Sequence, residues 1–350
     1  MSGEKQSSSQ TGFAWGELPD EALLNVRLCD LRLSIRSSPI YSQVEQLYAE
    51  LERCGIVFRP HVWLSQEWFS PDGVPGIAVP FYLAHPRLAK LERSQMLECE
   101  GATATEFMKI LRHEAGHALD NAYELRETEP WKTHFGNFAQ PYPEHYKPAP
   151  ASRDFVVHLN AWYAQAHPAE DYAETFAVWL ASSQQKWQRQ YEGWPALQKL
   201  QAIEEMVTAI RGVEAPNSNR QRIEPLSRCR ITLAEHYRRK REFYEVGIPS
   251  EYDADLTRLF APETPDNRTS RPRAALFLAH NRRALRSLVS VTTGVHHYTV
   301  DQFLKRMIDR CRQLTLVLRH DAQQTSNEFI ALLTTQVVRA AYEGHARIPL

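Results

Sequence analysis

Cysteine is scarce in this chain and is never closely spaced. The five residues, Cys29, Cys54, Cys99, Cys229 and Cys311, are odd in number and form no Cys-x-x-Cys pair. This argues against a disulfide framework and a thiolate-built zinc site, and it fits a reducing compartment. Neither sign of charge is in excess: 41 Lys+Arg face 42 Asp+Glu, a net charge of −1. The chain as a whole is therefore not built to coat nucleic acid or a membrane. No run approaches the roughly 18 apolar residues that a membrane helix needs. The opening MSGEKQSSSQTG is polar and lacks the apolar core of a secretory signal. We expect a cytoplasmic protein with no membrane partner and a disordered tail over 1–15.

What is present has the balance of a soluble globular protein, with 43% hydrophobic and 24% charged residues. The length of 350 residues allows one large or two ordinary domains. LLNVRLCDLRLSI (23–35) alternates with a change of phase, which predicts a bulged strand or two short strands. YSQVEQLYAELERCG (41–55) has Val44, Leu47, Leu51 and Cys54 at helical spacing before a glycine stop. IVFRPHVWLS reads as extended, SPDGVPG as a turn, and IAVPFYLAHP as a proline-interrupted edge strand. Such an edge is where an extended peptide would pair.

Thr103 and Glu106 then form a T-x-x-E capping signature ahead of an apolar stripe, predicting a helix over 104–125. A long segment rich in Pro, Tyr, His and Gly follows over 127–151, a length of connection that is often functional. RDFVVHLNAWYAQA, PAEDYAETFAVWLASS and WPALQKLQAIEEMVTAIRGV all read as helices. EAPNSNRQRIEP (214–225) reads as linker, and VDQFLKRMIDRCRQLTLVL beyond it as a helix with Leu304, Met307, Ile308, Cys311 and Leu314 on one face. The fold class expected is α+β. A first domain over 16–213 holds a small mixed sheet, a site-bearing helix and a helical lower half. A linker over 214–228 and a helical domain over 229–350 complete the chain.

Charge divides with the linker. Residues 229–350 carry 19 Lys+Arg and 13 Asp+Glu, a net of +6, which leaves 22 and 29, a net of −7, before them. HYRRKREFY (236–244) interleaves bases with aromatics, a composition able to grip phosphates. The simpler expectation is a helix with a charged outer face. We therefore do not expect nucleic acid as a partner, while an acidic partner for the basic region is compatible with the split.

The chemistry is concentrated in LRHEAGHALD (111–120). On a helix, His113 and His117 project from one face a turn apart, and two imidazole nitrogens so placed can hold one Zn²⁺. Glu114, beside the first histidine, would reach a water on the metal rather than the metal itself. Asp120 and Tyr123 stand where the metzincin pattern requires glycine and histidine, so that class is excluded. A third ligand is then sought on a later helix. HPAEDYAETFAVWL (167–180) offers Glu170 and Glu174 on one face, one to bind zinc and the other to orient a ligand histidine. His134, His145, His158 and His167 lie between the motifs and are alternative ligands. Ala115, Gly116, Ala173 and Ala177 are small enough to let two helices approach, although a glycine there is also explained by tolerance.

HEAGHALD together with EDYAETF resembles the gluzincin metallopeptidases, in particular the lethal-factor-like catalytic domains. It resembles most a family of bacterial zinc-binding metallopeptidases, over roughly residues 20–213. The resemblance implies a zincin-like fold, hydrolysis of peptide or amide bonds in a peptide or protein substrate, and a single Zn²⁺ on His113, His117 and Glu170. It implies catalysis by Glu114. In the lethal-factor-like arrangement a tyrosine lies seven residues before the ligand glutamate, and Tyr163 occupies that position, although Pro168 falls between them. Glu174 and Asp120 are then expected to support the ligands, Asp120 being equally readable as an exposed carboxylate. The competing class is a zinc-stabilised binding or scaffold protein without turnover.

Overall fold

A computed structural model describes residues 13, 15–143, 146–245, 251–267 and 269–343. The tail expected over 1–15 lies outside these residues except for Phe13 and Trp15. Trp15 is buried, stacks on Phe13 and donates its indole N–H to the Leu31 carbonyl, so the folded chain begins before residue 16. A short helix α1 (Asp20–Leu23) follows. The strands predicted over 23–35 are instead two 3-10 turns, Leu28–Leu31 and Ile35–Ser37. Leu28 and Leu31, three apart, fall on the same side of a 3-10 turn, and both are fully buried. The phase change read as a bulge is this three-residue spacing.

Helix α2 (Tyr41–Arg53) buries Val44, Leu47 and Leu51, as its spacing predicts. Strands β1 (His61–Ser65) and β2 (Gly76–Pro80) pair in parallel, with Trp63 opposite Ala78. The chain between them returns along the far side of β2, where Phe69 and Ala78 form an antiparallel bridge. All five residues of β2 are buried. The predicted edge strand is therefore shorter than IAVPFYLAHP, since Phe81–Ala84 turns into a 3-10 helix. Phe69 already holds the backbone of Ala78, which removes that position from pairing with a peptide.

Helices α3 (Pro86–Met96), α4 (Ala104–Tyr123), α5 (Glu129–Phe135), α6 (Pro168–Ala181), α7 (Gln184–Gln190) and α8 (Ala196–Ile210) complete the body around the site. The helix predicted over 153–166 is absent. In its place is a 3-10 stretch, Asn160–Gln165, with Ala161 and Trp162 in the left-handed region (φ 58° and 54°). Tertiary partners take the backbone groups a helix would use. The Val157 N–H donates to the Tyr191 hydroxyl, the Leu159 N–H to Glu174, and the His158 carbonyl accepts from Lys109.

The segment predicted as a linker is fastened to β1. His61, Trp63 and Ser65 share one face of the strand, and their side chains bond the carbonyls of Gln221, Ile223 and Glu224 at 2.9, 2.9 and 2.7 Å. Helix α9 (Leu233–Glu245) then packs Leu233 and Tyr237 into the same first core. A second core starts at Tyr252. The passage from one core to the other thus falls after α9, not at 214–228. The second core is built by α10 (Asp253–Leu259), α11 (Ala274–Thr293), α12 (His297–Gln313) and α13 (Ala322–Tyr342). It also contains β3 (Phe260–Pro262) and β4 (Leu316–Leu318), a small antiparallel sheet that the sequence did not suggest. The architecture is mixed α+β and mostly helical.

Candidate metal centre

Helix α4 starts where its cap dictates. The Thr103 hydroxyl accepts from the Glu106 N–H at 3.2 Å, and the Glu106 carboxylate accepts from the Thr103 N–H at 3.4 Å. With the start fixed, His113, Gly116 and His117 face α6. Gly116 permits a close approach there: a Cβ would stand 3.0 Å from Ala173 Cα and 3.3 Å from its carbonyl oxygen, tighter than ordinary side-chain contact. Helix α6 starts as firmly, with Pro168 in its first turn and the His167 Nδ1 accepting from the Ala169 N–H at 3.1 Å. Glu170 and Glu174 follow on its inner face, both buried.

Across this contact the side chains converge. His113 Nδ1 lies 2.9 Å from Glu174 Oε1, and the other oxygen of Glu174 accepts from the Leu159 N–H at 2.8 Å. A carboxylate so placed holds the proton on Nδ1, which leaves the lone pair of His113 Nε2 turned inward. That Nε2 is 3.1 Å from Glu170 Oε2 and 3.2 Å from His117 Nε2, and His117 Nε2 is 3.3 Å from the same carboxylate oxygen. Three donor atoms of the type zinc prefers thus form a nearly equilateral triangle. Tetrahedral ligands at about 2.0–2.1 Å from a zinc ion are roughly 3.3 Å apart, so the donor set fits the ion. Among the described residues this is the group of His, Cys, Asp and Glu able to hold a metal.

Burial disfavours charge on His113, but its hydrogen bonds to Glu170 and Glu174 prevail and raise its pKa to about 10. Burial likewise opposes charge on Glu170, yet His117 and His113 draw its carboxyl well below the usual range. Glu114 is only 2% exposed, and its Oε2 has no hydrogen-bond partner among the described residues. Burial raises its pKa, against the pull of the two histidines. The Glu114 carbonyl accepts from the Ser70 hydroxyl at 3.0 Å, which ties the helix to the loop after β1.

The other expected residues divide. Tyr163 does reach the site: its ring centroid is 5.7 Å from that of His113. The left-handed turn at Ala161 and Trp162 delivers it there, not a continuous helix. Burial first, then the charges of Glu170 and Glu114 with Tyr142 between them, keep its hydroxyl protonated. Asp120 serves elsewhere. Its two oxygens bond the backbone N–H and the Nε of Arg126, both at 2.7 Å, and so close the turn after α4. Of the alternative ligands, the His158 ring bonds the Lys109 carbonyl and His167 caps α6, while His145 lies outside the described residues. Tyr142 was not anticipated: its hydroxyl donates to Glu170 Oε1 at 2.7 Å. The only hint was the length of the segment that carries it.

The chain matches no curated protein and no solved structure. Residues 90–209 match the model of a family described as "Putative zinc-binding metallo-peptidase". That span contains all of α4 and α6, so the likeness to zinc-binding metallopeptidases falls on the helices that carry the candidate ligands.

Proposed function

We propose that the protein is a zinc-dependent peptidase that hydrolyses peptide bonds with one zinc ion held by His113, His117 and Glu170. The observation that carries this reading is the triangle of inward-facing donors beside a buried carboxylate with an unpartnered oxygen. A zinc ion so held would lower the pKa of a bound water towards about 7 and polarise the scissile carbonyl. Glu114 is the general base: it takes the proton of the attacking water and returns it to the leaving amine. Its raised pKa suits both halves of that transfer. Glu174 fixes the tautomer and orientation of His113. The Tyr163 hydroxyl, kept protonated, donates a hydrogen bond to the developing oxyanion.

The test is metal analysis beside turnover on a peptide library. Wild type should bind one zinc per chain, and Glu170→Ala or His113→Ala should lose it. Glu114→Gln should keep the zinc and lose turnover by roughly 10²–10⁴-fold. Full activity in Glu114→Gln removes the assigned base. Wild type that holds zinc and cleaves nothing is a zinc-stabilised scaffold instead.

A further inference from the structure

The carboxylate of Glu170 has two oxygens, and they face different neighbours. Oε2 faces both imidazole nitrogens, at 3.1 and 3.3 Å. Oε1 accepts a hydrogen bond from the Tyr142 hydroxyl at 2.7 Å. Tyr142 belongs to the proline-rich segment between α5 and the turn at Asn160–Gln165, and its side chain is largely exposed, yet its tip meets a buried ligand candidate. The residue is braced. Its ring stacks on that of His167 with centroids 3.8 Å apart and planes 13° from parallel. His167 in turn caps α6 through Nδ1 and bonds the Gln140 carbonyl through Nε2 at 2.9 Å. The same imidazole thus starts the helix that carries Glu170 and supports the tyrosine that touches it.

We infer that Tyr142 is a positioning residue that occupies Oε1 of Glu170, so that this carboxylate offers a metal ion only Oε2. The inference rests on the zinc reading above. A carboxylate free to turn can give a cation both oxygens, as it often does around calcium, and so consume a position that a hydrolase must keep open. A hydroxyl bonded to one oxygen opposes that rotation. Outer partners of this kind typically set metal affinity by 10–100-fold. Tyr142 is not assigned a chemical step. It acts through Glu170.

Two variants of the full-length chain separate the hydroxyl from the ring. Tyr142→Phe keeps the stack on His167 and loses only the donor, whereas Tyr142→Ala loses both. The readouts are zinc affinity by competition with a chromophoric chelator and the visible absorption of the cobalt(II)-loaded protein, whose intensity falls as coordination number rises. Tyr142→Phe should bind zinc roughly 10–100-fold more weakly than wild type and give a weaker cobalt band. Tyr142→Ala should resemble it. The inference is overturned if Tyr142→Phe matches wild type in both readouts, or if only Tyr142→Ala differs, because the ring and not the hydroxyl then matters. A wild-type chain that binds neither metal overturns the zinc reading together with this one.

Discussion

Among the described residues, two clusters of ionisable side chains differ in what holds them together. In one, the Lys240 ammonium sits 3.1 Å from Glu67 and 3.1 Å from Glu92, above the Tyr82 ring at 4.9 Å. Burial opposes that charge, but the carboxylates and Tyr82 hold its pKa well above the usual value. This cluster contains its own cation, which meets one oxygen of Glu67 and one of Glu92. In the other, His113, His117 and Glu170 point two ring nitrogens and a carboxylate oxygen at one another. They bring two ring nitrogens and a carboxylate oxygen to a common point, and the positive charge there rests on an imidazole that can give up its proton. Buried carboxylates alone therefore do not mark a metal centre. What marks it is whether the neighbours are donors with permanent charge or lone pairs.

Basic residues of HYRRKREFY, Lys240 among them, form ion pairs within the chain. Arg238 and Arg239 pair with Glu235 on the outside of α9, Arg238 also with Glu242, while Lys240 turns inward. Most of the positive charge that suggested a phosphate-binding strip is committed within the molecule.

The difference can be broken at its strongest point first. Lys240→Met leaves Glu92 buried without its cation, and removal of one partner from a buried pair costs about 3–5 kcal/mol. Urea unfolding should register that loss while zinc content stays at the wild-type level. An unchanged midpoint would mean that the lysine does not hold the cluster. The candidate metal site should respond to geometry instead. Gly116→Ala inserts a methyl group against Ala173 and should cost about 1–3 kcal/mol. Because His113 and Glu170 meet across that same contact, zinc affinity should fall with it; chelator competition that shows no change would argue that the helices adjust without moving the ligands.

Per unit of the variable changed, the smallest effect concerns pH. His236, 3% exposed beside Lys240, is held neutral: burial first, and then the lysine charge, push its pKa down to about 3. The unfolded chain takes up a proton near pH 6.5, which the folded chain resists until about 3. Its contribution to stability is thus intact above about 6.5 and is lost as pH falls between those values. A single such group gives a slope of at most about 1.4 kcal/mol per pH unit. The stability of metal-free wild type minus that of His236→Gln, plotted against pH, should fall with acid across this window. Parallel curves would show that the imidazole does not titrate as placed.

How much was legible beforehand depended on the range of the interaction. The His113 and His117 face was readable because a capped helix converts a four-residue spacing into one side of a cylinder. Glu170 and Glu174 were readable as a pair for the same reason, and so were the buried positions of α2 and α12. Leu28 and Leu31 misled because three-residue and two-residue spacings are hard to separate in a short apolar run. The helix predicted over 153–166 failed because its backbone groups found partners on α4, α6 and after α7. Asp120 was placed beside His117 by its one-turn spacing, whereas a nearby arginine claimed both of its oxygens. Tyr163 lies beside His113 because of a left-handed turn and not because of a continuous helical face.

The sequence by itself determined which chemistry is possible here: two imidazoles a turn apart, a carboxylate between them, and a second helix with acids at matching spacing. Those are local facts, fixed by 3.6 residues per turn and by the caps that set each helix in phase. Only the tertiary structure decided that Glu174 takes the outer nitrogen of His113, that Glu170 turns one oxygen to the histidines and the other to Tyr142, and that Gly116 brings the helices close enough for either to matter. Such choices are made between groups tens of residues apart, where packing distance and competition for hydrogen-bond partners, not spacing along the chain, select the contact.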